Sequence, residues 1–221
     1  MNAILERCVF FKQSIMRFHT TGSVAPSSKH LCNSLVKPLE YLRQDNRPLR
    51  ALEAGPGTGP ITKLLLESLR PGDYFTAYEI NSQLAEYLHK RLAPLAAERG
   101  ITFEVRVEPV QNVAQTGEKH DLVISGLPFN NFEPQLVDEI LAALLLATSD
   151  HGYFSFYEYI GIRNIKKVFL GSAMRQRIGE LEKLLLNYRN RHEHSHNNVW
   201  LNLPPARAHT WRKQEALNAL S

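Results

Sequence analysis

The chain has 221 residues, of which 43% are hydrophobic and 22% are charged, and its formal net charge is +4. This length and composition are those of one soluble α/β domain with a substantial core. They exclude a membrane-spanning protein, because no apolar run approaches the roughly 20 residues that a transmembrane helix needs.

Other features of the sequence bear on its cellular context. Residues 1–7 lack an unbroken apolar core and a small-residue cleavage site, so a secretory signal is not expected. Cys8 and Cys32 lack metal-ligand spacing and are expected to be reduced thiols. The basic excess is compatible with nucleic acid, with an anionic lipid surface or with neither. We therefore expect a cytoplasmic protein whose partner the charge alone does not identify.

The first 48 residues are predicted to form a helical extension ahead of the main domain, which spans residues 49–221. Apolar side chains recur there at spacings of four and three, as in one stripe of an amphipathic helix, and basic residues flank them. The stripe consists of Ile4, Cys8, Phe11, Ile15 and Phe18, and the flanking residues are Arg7, Lys12 and Arg17. Such a helix could contact a membrane and cover the functional site, or it could pack on the core of the domain.

Strand and helix patterns alternate through the main domain. Strands are predicted at residues 49–54, 74–79, 101–107, 121–125 and 152–158. Helices are predicted at residues 60–69, 82–98, 134–148 and 172–190. Two last extended segments, 198–203 and 207–213, predict an antiparallel hairpin at the sheet edge. The alternation indicates an α/β fold, a Rossmann-like seven-stranded sheet with helices on both faces.

A glycine-rich turn, residues 54–59, follows the first predicted strand, and a helix is predicted from Pro60. Glycine alone lets the backbone approach a ligand closely, so Gly55, Gly57 and Gly59 indicate a loop around something bound at a helix N-terminus. The spacing G-x-G-x-G fits neither the dinucleotide fingerprint nor the phosphate loop. A ligand other than a pyrophosphate is therefore predicted.

Two carboxylates accompany the turn. Glu53 lies two positions before Gly55, where it could pair with an ammonium group. Glu79 follows Gly55 by 24 residues, close to the roughly 20 expected of a carboxylate that binds ribose hydroxyls. Ile80 could then pack on an adenine face. An ordinary strand-to-helix turn would explain the glycines and leave the two acids unexplained.

An acid, the G-x-G-x-G turn and a second acid together resemble the class I S-adenosylmethionine-dependent methyltransferases. The resemblance implies S-adenosyl-L-methionine as the cofactor, S-adenosyl-L-homocysteine as the product, and a site at the carboxyl ends of strands one, two and four. No metal is implied. The implied cofactor-binding residues are Glu53, Gly55, Pro56, Gly57, Thr58, Gly59, Glu79, Ile80, Ser125 and Gly126.

The end of strand four, residues 125–129, is where the methyl acceptor is expected. Leu127-Pro128-Phe129 resembles the Asn-Leu-Pro-Tyr box of methyltransferases that act on adenine N6, in which the Asn accepts hydrogen bonds from the amino group and the aromatic ring stacks on the base. Gly126 takes the Asn position in this chain and offers no side-chain acceptor. This counts against adenine, and an rRNA adenine N6-dimethyltransferase is kept as an alternative.

A second resemblance covers nearly the whole chain. It rests on residues 21–28, 52–59, 125–129 and 202–206, which resemble the corresponding segments of the bacterial phospholipid N-methyltransferases. That family methylates the head-group amine of phosphatidylethanolamine toward phosphatidylcholine, and related enzymes methylate ornithine lipids. The resemblance implies a cytoplasmic enzyme that is peripherally associated with the inner face of the membrane. Its partners would be the anionic membrane surface and the lipid substrate, with no nucleic acid and no obligate protein partner.

A lipid amine has a pKa near 10, so the site needs a group that accepts a proton from the ammonium. Strand five ends in Tyr157-Glu158-Tyr159. Glu158 is the best candidate for the proton acceptor, and either tyrosine could orient the amine. Phe129, Tyr157 and Tyr159 could also hold the cation by cation–π attraction. The alternative is that these aromatic residues belong to the core.

Two polar clusters follow strand five. Arg163, Lys166 and Lys167 are expected to bind the lipid phosphate, unless they form a solvated basic face. Histidines at 192, 194 and 196 would share one face of an extended segment, but methyl transfer to an amine needs no metal and a polar edge strand would show the same pattern. A non-catalytic membrane-binding module is a further alternative, against which the intact acids and glycines argue.

Overall fold

The computed structural model describes residues 27–44, 46–161 and 171–213. The predicted stripe at residues 4–18 and the basic residues Arg163, Lys166 and Lys167 lie outside this part of the chain. Nothing in the structure therefore bears on those two predictions.

The described residues form a seven-stranded sheet in the order β3-β2-β1-β4-β5-β7-β6. The strands are β1 Arg50–Ala54, β2 Tyr74–Tyr78, β3 Thr102–Arg106, β4 His120–Ser125, β5 Thr148–Tyr159, β6 Glu193–Val199 and β7 Ala206–Arg212. Strands β1 to β5 are parallel, whereas β7 runs antiparallel to both β5 and β6. This confirms the predicted Rossmann-like sheet with a terminal hairpin.

Seven α-helices connect or flank these strands in the described ranges. They are α1 Lys29–Val36, α2 Leu39–Leu42, α3 Pro60–Ser68, α4 Ser82–Glu98, α5 Val113–Thr116, α6 Pro134–Ala147 and α7 Ser172–His192. Helices α3 and α6 begin with a proline, whose missing N–H costs nothing at that position. Helix α4 begins after Asn81, whose side chain accepts hydrogen bonds from the amides of Gln83 and Leu84.

The helices cover the sheet on two faces, each with its own apolar core. Helices α1, α3 and α4 pack on one face, named here the α1 face, with Leu35, Leu65 and Leu88 fully buried. Helices α6 and α7 pack on the other, named the α7 face, with Leu144 and Phe154 fully buried. Because side chains alternate along a strand, neighbouring residues of β5 point to different cores.

Helix α1 belongs to the first of these cores. Leu31 and Leu35 are fully buried against the sheet and α3, and each contributes roughly 1.5–3 kcal/mol of burial free energy. Ser28 caps the helix by accepting a hydrogen bond from the amide of Leu31, and its own amide donates to Asn202 Oδ1 at 3.0 Å. Residues 28–36 of the extension thus share the core of the domain.

The hairpin differs from its predicted bounds. Strand β6 begins at Glu193, directly after α7, five residues before the predicted start at 198. Its first residues are polar and exposed on an edge strand, so they lack the apolar alternation that indicates a strand. Their pairing depends on β7, where Glu193 lies opposite Trp211 and Val199 opposite Ala206.

Candidate functional site

The predicted cofactor residues converge at the edge of the sheet where the parallel strands end, named here the carboxyl edge. Ala54, the last residue of β1, lies between Tyr78 of β2 and Ser125 of β4. The glycine turn, Glu79 and Gly126 each directly follow one of these strand ends. In an open α/β sheet a crevice at this edge is the usual ligand site.

The glycine turn and the β4 loop interlock through their backbones. Gly55 has φ 68°, and a Cβ there would collide with the side chain of Leu127. The amide of Gly126 donates to the carbonyl of Ala54 at 2.9 Å, and a Cβ on Gly126 would lie 2.7 Å from the carbonyl oxygen of Gly55. A side chain at position 126 is therefore excluded by the backbone of Gly55, and the same position offers no side-chain acceptor to a substrate amino group. Within the turn, Pro56 is buried and Thr58 is exposed.

The Glu79 carboxylate lies over the glycine turn. Its Oε2 accepts a hydrogen bond from the amide of Gly57 at 3.2 Å, and its Oε1 accepts one from the amide of Asn81 at 2.9 Å. The side chain is only 3% exposed. Asn81 caps α4, so the carboxylate also lies near the positive end of a helix dipole. Ile80 packs partly buried on the α7-face core beside it.

Glu53 is fully buried on the α1 face. Its Oε2 accepts a hydrogen bond from the hydroxyl of Thr62 at 2.7 Å, and no donor among the described residues reaches its Oε1. Burial raises the pKa of Glu53 to about 8, against the lowering effect of Thr62, and the negative charge of Glu79 raises it further. Burial and the charge of Glu53 raise the pKa of Cys32 to about 11. The free oxygen of Glu53 is suited to a cationic donor.

The three predicted catalytic residues of β5 do not lie together. Tyr157 and Tyr159 point to the α1 face, where their ring centroids are 5.4 Å apart. Burial raises the pKa of Tyr157, while hydrogen bonds with Tyr159 and Ser27 act in the opposite direction. Glu158 lies on the α7 face, where it contacts His209. Strand alternation separates the carboxylate from the two phenols.

Glu158 is part of a chain of three titratable groups. Its Oε2 is 3.2 Å from Nε2 of His209, whose Nδ1 is 2.7 Å from Oε1 of Glu193. His209 is 1% exposed, and burial lowers its pKa while Glu193 opposes that shift. A neutral ring that donates from Nδ1 to Glu193 presents Nε2 to Glu158 as an acceptor. The contact between His209 and Glu158 then needs one proton shared between them.

Phe129 lies inside the α7-face core. It is 2% exposed, and its ring centroid is 5.6 Å from that of Phe156. The structure therefore does not bring Phe129 together with Tyr157 and Tyr159, which are on the α1 face. The hydroxyl of Ser125, also buried, accepts a hydrogen bond from the amide of Leu127 at 3.3 Å and so shapes the start of this loop.

Comparison with known proteins identifies the family. No family model matches the chain. An ornithine lipid N-methyltransferase from Singulisphaera acidiphila is 30% identical over 135 residues, which are 61% of this chain and 68% of that protein. The chain belongs to the bacterial lipid N-methyltransferases.

Solved structures show the same fold at low sequence identity. A Klebsiella pneumoniae protein assigned as an O-methyltransferase superposes with a TM-score of 0.61 at 14% identity, covering 92% of this chain and 89% of that chain. The N-methyltransferase NodS from Bradyrhizobium japonicum gives a TM-score of 0.56 at 13% identity, over 85% and 99% of the two chains. Magnesium protoporphyrin IX methyltransferase from Synechocystis, solved with bound S-adenosylhomocysteine, gives 0.54 at 17% identity, over 83% of each chain.

The enzyme is thus an S-adenosylmethionine-dependent methyltransferase, and the carboxyl edge fits that cofactor. A buried carboxylate whose Oε1 no described donor reaches, at Glu53, suits the cofactor's ammonium group. A second carboxylate, at Glu79, is held over the turn where ribose hydroxyls would need acceptors. At Gly55 and Gly126, where the two loops interlock, the absence of side chains lets the backbones approach each other closely.

The histidines of the methyltransferase that alternate in sequence do not share one face. His192 is the last residue of α7, whereas His194 and His196 lie in β6. His194 contacts the ring of Tyr153 at 5.4 Å, and His196 lies 6.2 Å from the ring of His209. In the described ranges no group of three histidine, cysteine or acidic side chains is arranged to hold a metal ion.

Replacing Gly126 with alanine should destabilise the enzyme. The added Cβ would be forced against the backbone oxygen of Gly55, which can move only if the whole turn shifts, and such overpacking costs about 1–3 kcal/mol. Gly179→Ala is a matched control, because nothing lies within 4 Å of its Cβ position in α7, and alanine should stabilise that helix by about 0.5–1 kcal/mol. Urea unfolding of both variants measures the difference. Equal stability of the two variants would contradict the interlock.

The stability of the ligand-free enzyme should fall as the pH rises from 7 to 8. The folded-state pKa of Glu53, about 8, lies above its ordinary value of 4.5, so in this interval the folded state holds a proton that the unfolded chain has lost. The limiting slope is about 1.4 kcal/mol per pH unit. The interval begins at 7 because three histidines whose pKa values are lowered, His120, His192 and His209, have the opposite effect around and below pH 6.5, where the unfolded chain still binds their protons.

Glu53→Gln should flatten this slope, because the amide mimics the protonated carboxyl and cannot ionise. Urea midpoints measured at three pH values between 7 and 8 test it. Glu86→Gln, on the exposed side of α4, is the control and should keep the wild-type slope. A slope that is identical in Glu53→Gln and wild type would show that Glu53 is not the titrating group.

Proposed function

We propose that the enzyme transfers a methyl group from S-adenosylmethionine to the head-group amine of a membrane lipid. The observation that carries this proposal is the 30% identity to an ornithine lipid N-methyltransferase over 135 residues. Gly126 supports it, because the position at which an adenine methyltransferase needs an Asn cannot hold a side chain here. Two acceptors are candidates: ornithine lipid, from that relative, and phosphatidylethanolamine on its way to phosphatidylcholine, from the sequence motifs.

The cofactor supplies an activated sulfonium methyl. In the proposed arrangement Glu79 accepts hydrogen bonds from its ribose hydroxyls, Ile80 packs on the adenine, and Glu53 pairs with its ammonium group. These residues lie at the ends of two neighbouring strands, β1 and β2, so together they can hold the methyl in line with an incoming nitrogen. Such positioning supplies a large part of the rate in a reaction between an activated donor and an amine.

The amine must lose a proton before it attacks. A primary amine with a pKa near 10 is ammonium at pH 7, and freeing its lone pair costs roughly 4 kcal/mol. An ionised Glu158 is the proposed acceptor of that proton, because its carboxylate lies at the end of β5, and the proton that it takes completes its 3.2 Å contact with the neutral His209. Tyr157 and Tyr159 are proposed to shape the side of the site that faces α1.

The lipid would reach the site from the membrane surface. No helix among the described residues is long and apolar enough to cross a bilayer. We propose peripheral association with the cytoplasmic face of the membrane, through the apolar stripe of residues 4–18 with its flanking basic residues and through Arg163, Lys166 and Lys167 at the lipid phosphate. Deleting residues 1–18 would then abolish co-sedimentation with anionic liposomes while S-adenosylhomocysteine binding is retained. Continued co-sedimentation would refute this membrane contact.

A labelling experiment tests the function directly. The purified enzyme is incubated with methyl-radiolabelled S-adenosylmethionine and a total bacterial extract, and the products are partitioned between chloroform and the aqueous phase. Label in chloroform is the expected result, and chromatography against methylated ornithine lipid and phosphatidylcholine standards names the head group. Label in the RNA fraction would overturn the proposal in favour of an adenine acceptor, and label in neither would overturn a lipid acceptor in this extract.

A further inference from the structure

Two adjoining cavities open between the end of β5, strand β7 and helix α7. Their volumes are about 220 and 240 Å³, and both are lined by Glu158, Glu182 and Arg189. They lie at the carboxyl edge, because Phe156 in the wall is paired with Ser125, the last residue of β4. The two cavities together are named here the α7 cavity. It adjoins the strand end at which methyl transfer is proposed.

One side of the α7 cavity carries two arginines. Arg189 comes from α7 and Arg207 from β7. Arg207 donates from Nε to Asn198 Oδ1 at 2.7 Å, which fixes its side chain, and among the described residues no acceptor is recorded for its two Nη groups. Within the described ranges the Arg189 side chain makes one long contact to a carboxylate, 3.9 Å from Nε to Glu193 Oε2. Two guanidinium groups with donors to spare form a site for an anion.

A buried donor at the base of the cavity points to the same ligand chemistry. Trp211 is 1% exposed and lines the cavity, and its indole Nε1 has no acceptor among the described residues. The ring is held edge-on to Phe156 at 4.6 Å and is stacked with Tyr188 at 6.0 Å. A buried N–H without an acceptor costs about 1–3 kcal/mol, so an acceptor supplied by a ligand would remove that cost.

The α7 cavity also carries negative charge. Glu158 and Glu182 are in its wall, and Glu158 already contacts His209. Glu182 and Arg189 are seven positions apart on α7, which puts them on one face of the helix, two turns apart. Carboxylates and guanidinium groups therefore line the same cavity. This arrangement suits a ligand that carries a cation and an anion a few bonds apart.

We propose that the α7 cavity binds the zwitterionic head group of the acceptor, with its anionic group at Arg189 and Arg207 and its amine at Glu158. The proposal rests on lipid amine methylation as the function, and it adds residues that determine which head groups are accepted. The anion could be the phosphate of phosphatidylethanolamine or the carboxylate of an ornithine lipid. Both present oxygen acceptors to a guanidinium fork and a primary amine to a carboxylate.

The test compares Arg189→Gln and Arg207→Gln with Arg191→Gln. Arg191 is on the same helix but lines a different cavity, with Asp150 and Lys213 at the opposite edge of the sheet, so its replacement removes the same charge without touching the proposed site. We expect the KM for lipid in mixed micelles to rise about 10-fold to 100-fold in each of the first two variants and to stay unchanged in Arg191→Gln. Thermal melts identify any variant that fails to fold, and Arg189→Lys, which keeps the charge, should recover part of the loss.

Binding of soluble head groups tests this site independently of the proposed activity. Isothermal titration with glycerophosphoethanolamine and with Nα-acetylornithine, in the presence of S-adenosylhomocysteine, should show whether the enzyme prefers a phosphate or a carboxylate. Either preference supports the site if the binding is lost in both arginine variants. Loss of binding in these variants, without methylation of any lipid in the extract, would leave the site standing and refute the function. An unchanged KM and unchanged head-group binding in both variants, in an enzyme that methylates lipid, would overturn the site alone.

Discussion

Glu79→Gln is expected to lower the affinity for S-adenosylmethionine by about 100-fold or more. The carboxylate is proposed to accept two hydrogen bonds from the ribose, and hydrogen bonds to a charged group contribute roughly 1.5–3 kcal/mol each. Glutamine has one acceptor oxygen in place of two, and its amide group would also face the backbone N–H of Gly57 or Asn81, each of which now donates to the carboxylate. Isothermal titration with S-adenosylhomocysteine measures the change.

Asn81→Ala is the control for damage to the local backbone. Asn81 caps α4 through the amides of Gln83 and Leu84, so its loss should cost about 1 kcal/mol of stability while the Glu79 carboxylate is kept. We expect this variant to bind the cofactor nearly as well as wild type. If instead Glu79→Gln bound with wild-type affinity, the ribose hydroxyls would need another acceptor.

The convergence of the proposed cofactor residues could be predicted from sequence because its signals are local. Glu53 and the glycines are contiguous with one strand, and Glu79 directly follows the next strand along the chain. A parallel sheet then brings these strand ends to one edge whatever the details of packing. The periodicity of α4 and α6 likewise lies within single segments, and their observed bounds agree with the predicted ones to within one residue at each end.

The acceptor half could not be predicted in the same way, because it depends on contacts between distant segments. His209 reaches Glu158 only through the pairing of β7 with β5, and Glu193 reaches His209 only because β6 starts directly after α7. A one-residue change of register would turn each side chain to the other face. The polar composition of Glu193–Asn198 hid the start of β6, and with it the contact between Glu193 and His209.

Gly126 shows how the two kinds of information combine. The sequence indicated that the acceptor-binding Asn of an adenine methyltransferase is missing. The structure adds that Gly126 is packed against the carbonyl of Gly55, so a side chain at position 126 would displace the glycine turn. Phe129 is the converse case. The motif Leu127-Pro128-Phe129 suggested a ring that contacts the substrate, whereas the structure places Phe129 in the α7-face core against Phe156.

Glu158→Gln is expected to lower kcat by about 100-fold to 10,000-fold, the usual contribution of a positioned general base. Glutamine keeps the shape of the side chain and its place beside His209, but it cannot take the proton of the ammonium. The deficit should shrink as the assay pH approaches about 10, because the free amine then forms in solution without help. Steady-state rates at pH 7 and at pH 9.5, with saturating cofactor, measure both effects.

Glu182→Gln, also in the α7 cavity, tests whether the loss comes from the carboxylate at the end of β5 or from any loss of negative charge there. We expect it to change KM more than kcat, because Glu182 lies on α7 and not at the end of β5, where the proton is proposed to be taken. A Glu158→Gln enzyme with an unchanged kcat would assign the proton to another acceptor. A loss of kcat that did not shrink at high pH would instead indicate that Glu158 positions the amine and does not deprotonate it, since deprotonation is the one role that alkaline solvent can replace.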